Sequence, residues 1–154
     1  MTSPSSSPAG GQRRAAIVGM GLIGGSIGMA LRRQGWWVSG TDREPSRAGR
    51  ALELGAIDEV GVDTAAAVTF IAVPAGAVAE VAKAVLSQQD AEERSGVVTD
   101  VAGIKETIVS AVGHPRFVGG HPMAGSEQEG VDGAGPDLFL GATWVLTPGQ
   151  HTSG

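Results

Sequence analysis

The sequence predicts an α/β fold: a doubly wound, mainly parallel sheet with helices on both faces. Three observations predict it. Short runs rich in β-branched residues recur along the chain and alternate with stretches whose apolar residues keep helical spacing. The first such run, residues 15–18, leads directly into Gly19, Gly21 and Gly24, a G-x-G-x-x-G pattern, and a helical pattern follows. The chain has 154 residues, 42% of them hydrophobic and 18% charged. A chain of that size and composition buries about two-thirds of its unfolded surface in one domain.

The same composition excludes several classes. With no cysteine, disulfides and thiolate metal sites are ruled out, and no metal is expected. Eleven Lys and Arg stand against sixteen Asp and Glu, a net charge of −5, so no basic patch points to nucleic acid. No apolar run approaches the ~20 residues that span a membrane. The Ser-, Pro- and Gly-rich start has no hydrophobic core for a signal peptide. A cytoplasmic protein is expected, with residues 1–13 a disordered tail, 14–149 a dinucleotide-binding domain and 150–154 a ragged end.

Taking the elements in order, residues 15–18 are a buried strand, and the helix after it shows Ile23, Ile27, Ala30 and Leu31 on one face. Gly35 stops that helix, and residues 36–41 form a second strand whose Trp36 and Trp37 alternate faces. A helix over 46–54 closes at Gly55, and 56–60 is a short third strand. Residues 69–73 are a fourth strand ended by Pro74. Val78, Val81, Ala82, Val85 and Leu86 mark the most amphipathic helix, followed by a polar surface link over 88–95. Strands at 96–99 and 117–118 flank a helix over 104–112, and 143–146 is the last strand, before Pro148. In such a sheet, ligands lie beyond the carboxyl ends of the strands. Residues 19–24, 99–105 and 119–127 all fall there.

Within the glycine pattern, Gly19 allows the tight turn. Gly21 lacks the Cβ that would keep a pyrophosphate from the backbone, and Gly24 lets helix and strand approach. Met20, Leu22 and Ile23 complete the cofactor-facing turn, and the helix start offers free N–H groups to the phosphates. Asp42 ends the second strand roughly 20 residues on, where a carboxylate accepts both ribose hydroxyls of an adenosine and repels a 2′-phosphate. Arg43 beside it can stack on adenine or pair with a 2′-phosphate. NAD is the expected cofactor, with NADP the lesser candidate. This is a Rossmann-type cofactor domain. Val73 and Pro74 either flank a flat ring or simply end their strand.

Residues 119–127 are unusual for a connection. Gly120 and Pro122 constrain the backbone around His121, with no helix or strand for it to belong to. A neutral imidazole there can accept a proton near pH 7. His114, before Pro115 in a turn, reads as a surface residue.

The chain resembles the nicotinamide-binding domain of prephenate dehydrogenases and their arogenate-using relatives. The resemblance rests on Gly19-Met-Gly-Leu-Ile-Gly-Gly-Ser26, Thr41-Asp-Arg43, Ala72-Val-Pro74, Thr99-Asp-Val-Ala-Gly-Ile-Lys105 and Gly120-His-Pro-Met-Ala-Gly-Ser-Glu127. The last block is the most specific, and it separates the chain from β-hydroxyacid and ketopantoate-type dehydrogenases. The resemblance covers about residues 14–148. It implies oxidative decarboxylation of prephenate to 4-hydroxyphenylpyruvate in tyrosine biosynthesis, with arogenate as the alternative substrate and a non-catalytic nucleotide-binding module as the alternative role. By it, His121 is the catalytic acceptor that polarises the substrate hydroxyl.

Asp100 falls among the cofactor-contacting positions, and with Lys105 it can instead organise the loop and the next helix. Gly103 stands where the family has a serine, so one hydroxyl is absent from the substrate side. Ser126 either reaches the substrate or caps a helix, and Glu127 lies beside it. Family members continue into a helical domain that forms a homodimer and closes the substrate pocket. By itself, this chain is therefore expected to bind NAD(H) but to turn over prephenate poorly or not at all.

Overall fold

The computed structural model describes residues 7–123 and 130–149. In chain order they form β1 (Arg14–Val18), α1 (Leu22–Arg33), β2 (Trp37–Thr41), α2 (Pro45–Glu53), β3 (Glu59–Val60), β4 (Val68–Ile71), α3 (Ala75–Ala91), β5 (Val97–Asp100), α4 (Glu106–Val112), β6 (Phe117–Met123) and β7 (Thr143–Pro148), with a 3-10 turn at Val131–Gly133. One sheet holds the strands in the order β3-β2-β1-β4-β5-β6-β7. Every pairing is parallel except β6 with β7. The order reverses between β1 and β4, which leaves a crevice at their carboxyl ends. The predicted Rossmann-type doubly wound fold is present.

Two cores, one on each face of the sheet, account for it. Ile17, Met20, Ile27, Val38 and Ile57 pack under α1 and α2. Ile71, Val78, Leu86, Val98, Ile108 and Phe117 pack under α3 and α4. Full burial of each such side chain stabilises the fold by roughly 1.5–3 kcal/mol. Trp37 is buried and Trp36 is half-buried, as their alternation requires.

Three helices end in the same way. After α1, the N–H of Trp36 reaches Leu31 O and that of Gly35 reaches Arg32 O. After α2, Ala56 bonds Ala51 and Gly55 bonds Leu52, and after α3, Arg94 bonds Gln89 and Glu93 bonds Asp90. This paired pattern needs a left-handed residue just past the helix. Gly35 and Gly55 supply it at φ 86° and 77°, but α3 uses Glu93 at φ 57°.

Glu93 explains a correction. Residues 88–95 read as a polar link, yet α3 continues to Ala91 and Gln89 is fully buried. No glycine marks the stop. His114 is also not a plain surface residue. Its Nε2 lies 3.0 Å from Asp90 Oδ2 while its Nδ1 accepts the Arg116 N–H, and Arg116 ties Asp90, Gln89 and the Gly96 carbonyl together. Upstream of β1, residues 7–13 are held by a turn in which Gln12 bonds Ala9 and, through Nε2, the Gly35 carbonyl. The expectations for residues 1–6 and 150–154 lie outside the described residues.

Between β6 and β7, residues 130–141 run as a strap across α1 and α2. Val131 is buried against Gly25, where an added Cβ would come within 2.8 Å of Val131 Cγ2. Ser26 Oγ accepts the Gly135 N–H, Arg50 pairs with Asp132, and Arg33 pairs with Asp137. Gly25 and Ser26 thus seat the strap.

Candidate cofactor and proton-acceptor site

The turn after β1 is built by close approach. Gly19 sits at φ 104°, and an added Cβ would lie 2.3 Å from Ala72 O at the end of β4. At Gly24 an added Cβ would lie 1.9 Å from Gly19 O and 3.2 Å from Ile17 Cγ2, so helix and strand touch backbone to backbone. Around Gly21 nothing lies within 4 Å of that position. Gly21 is the N-cap of α1 and makes no side-chain cap bond. The first helical bond is Gly25 N–H to Gly21 O at 2.9 Å, so the N–H groups of Leu22, Ile23 and Gly24 precede it, as at any helix start. Open space beside unbonded donors at a helix N-terminus fits an anionic pyrophosphate. Met20 differs: its side chain is fully buried, and it meets this turn only through its backbone.

That backbone ties the turn to Asp42. The Met20 N–H donates to Asp42 Oδ2 at 2.8 Å, and the Glu44 N–H donates to Oδ1 at 2.9 Å. A carboxylate held by two backbone donors is fixed in orientation and keeps lone pairs for further donors, as a ribose diol requires. Arg43 beside it is exposed. The residue that sequence reasoning missed is Arg47, whose Nη1 comes to 3.9 Å from Asp42 Oδ1. Its signal was Pro45, which starts a helix there and turns Arg47 back toward the strand end.

Val73 is half-buried beyond the end of β4, close to the Gly19 turn. Pro74 is exposed and serves as the N-cap of α3. β4 itself ends at Ile71, before Val73 and Pro74.

Asp100 needs correction as a cofactor contact. It is fully buried, and its oxygens are taken by the Gly120 N–H at 3.0 Å, the Ala102 N–H at 3.1 Å and the Lys105 ammonium. Burial and three protein donors leave it the organiser of the 100–105 loop.

His121 also differs from expectation. It belongs to β6, opposite Val145 of β7, rather than to an irregular loop. The strand survives Pro122 for a simple reason. Among the described residues, no strand pairs with β6 on its β5 side beyond Val118. The Gly120 N–H points that way, and so does position 122, where no donor is needed. Glycine at 120 is required by crowding, since a Cβ would fall 2.6 Å from Asp100 O and 2.8 Å from Thr99 Oγ1.

The imidazole is half-buried, and its Nδ1 faces the Val101 carbonyl at 3.5 Å. A carbonyl only accepts, so a proton on Nδ1 would make this contact a hydrogen bond and leave Nε2 able to accept one. Gly103 lies against this ring, with its Cβ position 3.5 Å from Cε1 and 3.8 Å from Nε2. Ser126 and Glu127 lie outside the described residues.

The structure therefore brings together the Gly19–Gly24 turn, Asp42 and the end of β4 at one crevice, and sets His121 and Gly103 against each other beyond β5. A cleft of about 560 Å³ between α4 and β7, lined by Lys105, Ser110, His114 and Thr147 among others, includes no residue of the glycine turn. Among the described residues no three His, Asp or Glu side chains converge as a metal site. Nor does any described helix have the length and apolarity to cross a membrane.

The chain is similar to several known proteins. The family described as "Prephenate dehydrogenase, nucleotide-binding domain" matches residues 27–154. Over 151 residues the chain is 38% identical to the prephenate dehydrogenase of Bacillus subtilis (strain 168), covering 88% of this chain and 39% of that protein. Among solved structures, Synechocystis arogenate dehydrogenase superposes with a TM-score of 0.76 at 33% identity, covering 91% of this chain and 51% of the other. Prephenate dehydrogenase from A. aeolicus, in complex with hydroxyphenyl propionate and NAD⁺, gives 0.77 at 32% identity, covering 92% and 52%. The chain thus spans about half or less of the length of each of these proteins.

Proposed function

The chain belongs to the prephenate dehydrogenase family, as its nucleotide-binding domain, and on that premise we propose that it binds NAD⁺ and contributes His121 to the oxidative decarboxylation of prephenate. One observation carries the cofactor reading: the bond from Met20 N–H to Asp42 Oδ2 joins the open glycine turn to an oriented carboxylate. The turn N–H groups would hold the pyrophosphate and Asp42 the adenosine ribose. Asp42 supports NAD⁺ over NADP⁺, because a fixed anion repels a 2′-phosphate. The related A. aeolicus enzyme was solved with NAD⁺.

When bound, the nicotinamide supplies the acceptor for the hydride leaving the substrate ring carbon. The protein's own task is to remove the hydroxyl proton at that carbon. His121 takes it, through Nε2 when Nδ1 carries the proton toward the Val101 carbonyl. Loss of CO₂ then aromatises the ring, so the residues need only align the reacting carbon and accept a proton. Gly103 offers no hydroxyl to this site.

Arogenate is the second reading, favoured by a match to the Synechocystis arogenate dehydrogenase as good as that to the prephenate enzyme. Calorimetry with NAD⁺ and NADP⁺ on wild type and Asp42→Ala tests the cofactor assignment. Tighter NAD⁺ binding that weakens in the variant is expected, and no binding of either cofactor would refute it. His121→Asn in a chain carrying a complete second half tests the proton acceptor. Unchanged turnover would remove His121 from the mechanism.

A further inference from the structure

The surroundings of Asp42 balance in charge. Arg47 brings Nη1 to 3.9 Å from Asp42 Oδ1 and Nε to 3.6 Å from Glu44 Oε2. The side chains of Arg47 and Glu44 are both more than half exposed, whereas that of Asp42 is only 8% exposed. Arg43 is exposed and joins no ion pair among the described residues. Two guanidinium groups therefore stand beside two carboxylates.

We infer that Glu44 is a second determinant of cofactor choice, acting by engaging one side of the Arg47 guanidinium that would otherwise meet a 2′-phosphate beside Asp42. The inference rests on the dinucleotide reading above and adds a residue to it. A ribose bound by Asp42 carries its 2′ oxygen beside that carboxylate, so a phosphate there meets the groups that flank Asp42. With Glu44 ionised, the four charges sum to zero and Arg47 is divided between two anions. Neutralising Glu44 leaves one positive charge in excess and frees one side of Arg47. Its planar fork suits a phosphate better than the single-atom contact it now makes. Asp42 is a blunt probe of this arrangement, because its oxygens also accept the Met20 and Glu44 N–H groups that shape the turn. Glu44 is the cleaner one: no described hydrogen bond of the turn depends on its carboxylate.

The test is equilibrium titration of NADH and NADPH, followed by calorimetry, on wild type, Glu44→Gln and Glu44→Gln/Arg47→Ala, with thermal melts to establish folding. Glu44→Gln is expected to shift the NADPH-to-NADH affinity ratio toward NADPH by about fivefold at low salt, the upper range for exposed ion pairs. The shift shrinks as salt is raised. Adding Arg47→Ala is expected to abolish it. NADH binding with an unchanged ratio in Glu44→Gln, or a shift that survives Arg47→Ala, overturns the role of Glu44 alone. Absence of NADH binding by wild type overturns the cofactor reading and this inference with it.

Discussion

The Gly120 N–H donates to Asp100 Oδ1 at 3.0 Å, and this bond ties the end of β5 to the strand carrying His121. The other oxygen of the same carboxylate receives Ala102 N–H and the Lys105 ammonium. One buried anion thus sets both the loop that bears Gly103 and the strand that bears His121.

Asp100→Ala should therefore destabilise the domain by about 3 kcal/mol, because it strands buried donors and leaves Lys105 without its counter-charge. Urea unfolding measures this directly. A loss under 1 kcal/mol would mean that the loop is held by something else.

The glycines of the first turn should separate cofactor binding from stability. Gly21→Ala meets empty space at a negative φ, so unfolding free energy should change by no more than about 1 kcal/mol, the usual cost at an N-cap. NADH affinity should nevertheless fall at least tenfold, since the new methyl occupies the space left for the pyrophosphate. Gly24→Ala places a methyl on the Gly19 carbonyl and should damage both. Fluorescence titration and thermal melting on the two variants distinguish these outcomes.

Glu93 occupies the left-handed position that glycine fills after α1 and α2. Glu93→Gly should stabilise the protein by about 1 kcal/mol, the conformational penalty a side chain meets there. A lower melting temperature in the variant would contradict this account of the α3 terminus.

His114, and after it Arg116, hold the Asp90 carboxyl below the ordinary aspartate value of 3.8. A carboxyl whose folded value is lowered contributes stability that is complete above the unfolded value and lost as pH falls through the folded one. Asp90→Asn should thus be less stable than wild type at neutral pH, with the gap closing as pH falls below about 4. Denaturant titrations across that range would show a constant gap if the cluster contributed nothing through Asp90.

Much of this was legible in the chain because the signals are local. The residues 15–18 strand, the glycine turn, the α1 helix and Asp42 follow one another within a single βαβ unit, and each carries its own pattern. Ends marked by Gly35 and Gly55 were readable for the same reason, whereas the end of α3 was hidden by a glutamate in a glycine's place. What could not be read depends on distant partners. His121 becomes a strand residue only because Val145 lies opposite it, and Asp100 becomes structural only because Gly120 and Lys105 converge on it. Arg47, though near in sequence, faces Asp42 only because the helix that starts at Pro45 brings it back toward the strand end.

The strap over α1 has a kinetic consequence. Its anchors join residues more than a hundred positions apart, Ser26 to Gly135 and Arg33 to Asp137. Closing such long loops is entropically slow, and β7 is reached only by way of the strap. The first helix of the chain must therefore wait for nearly the last segment to arrive before its glycine face is covered. During that interval Val145 and Leu146 belong to an unpaired, apolar strand. Aggregation during refolding should start at this edge, well away from the residues that hold the cofactor.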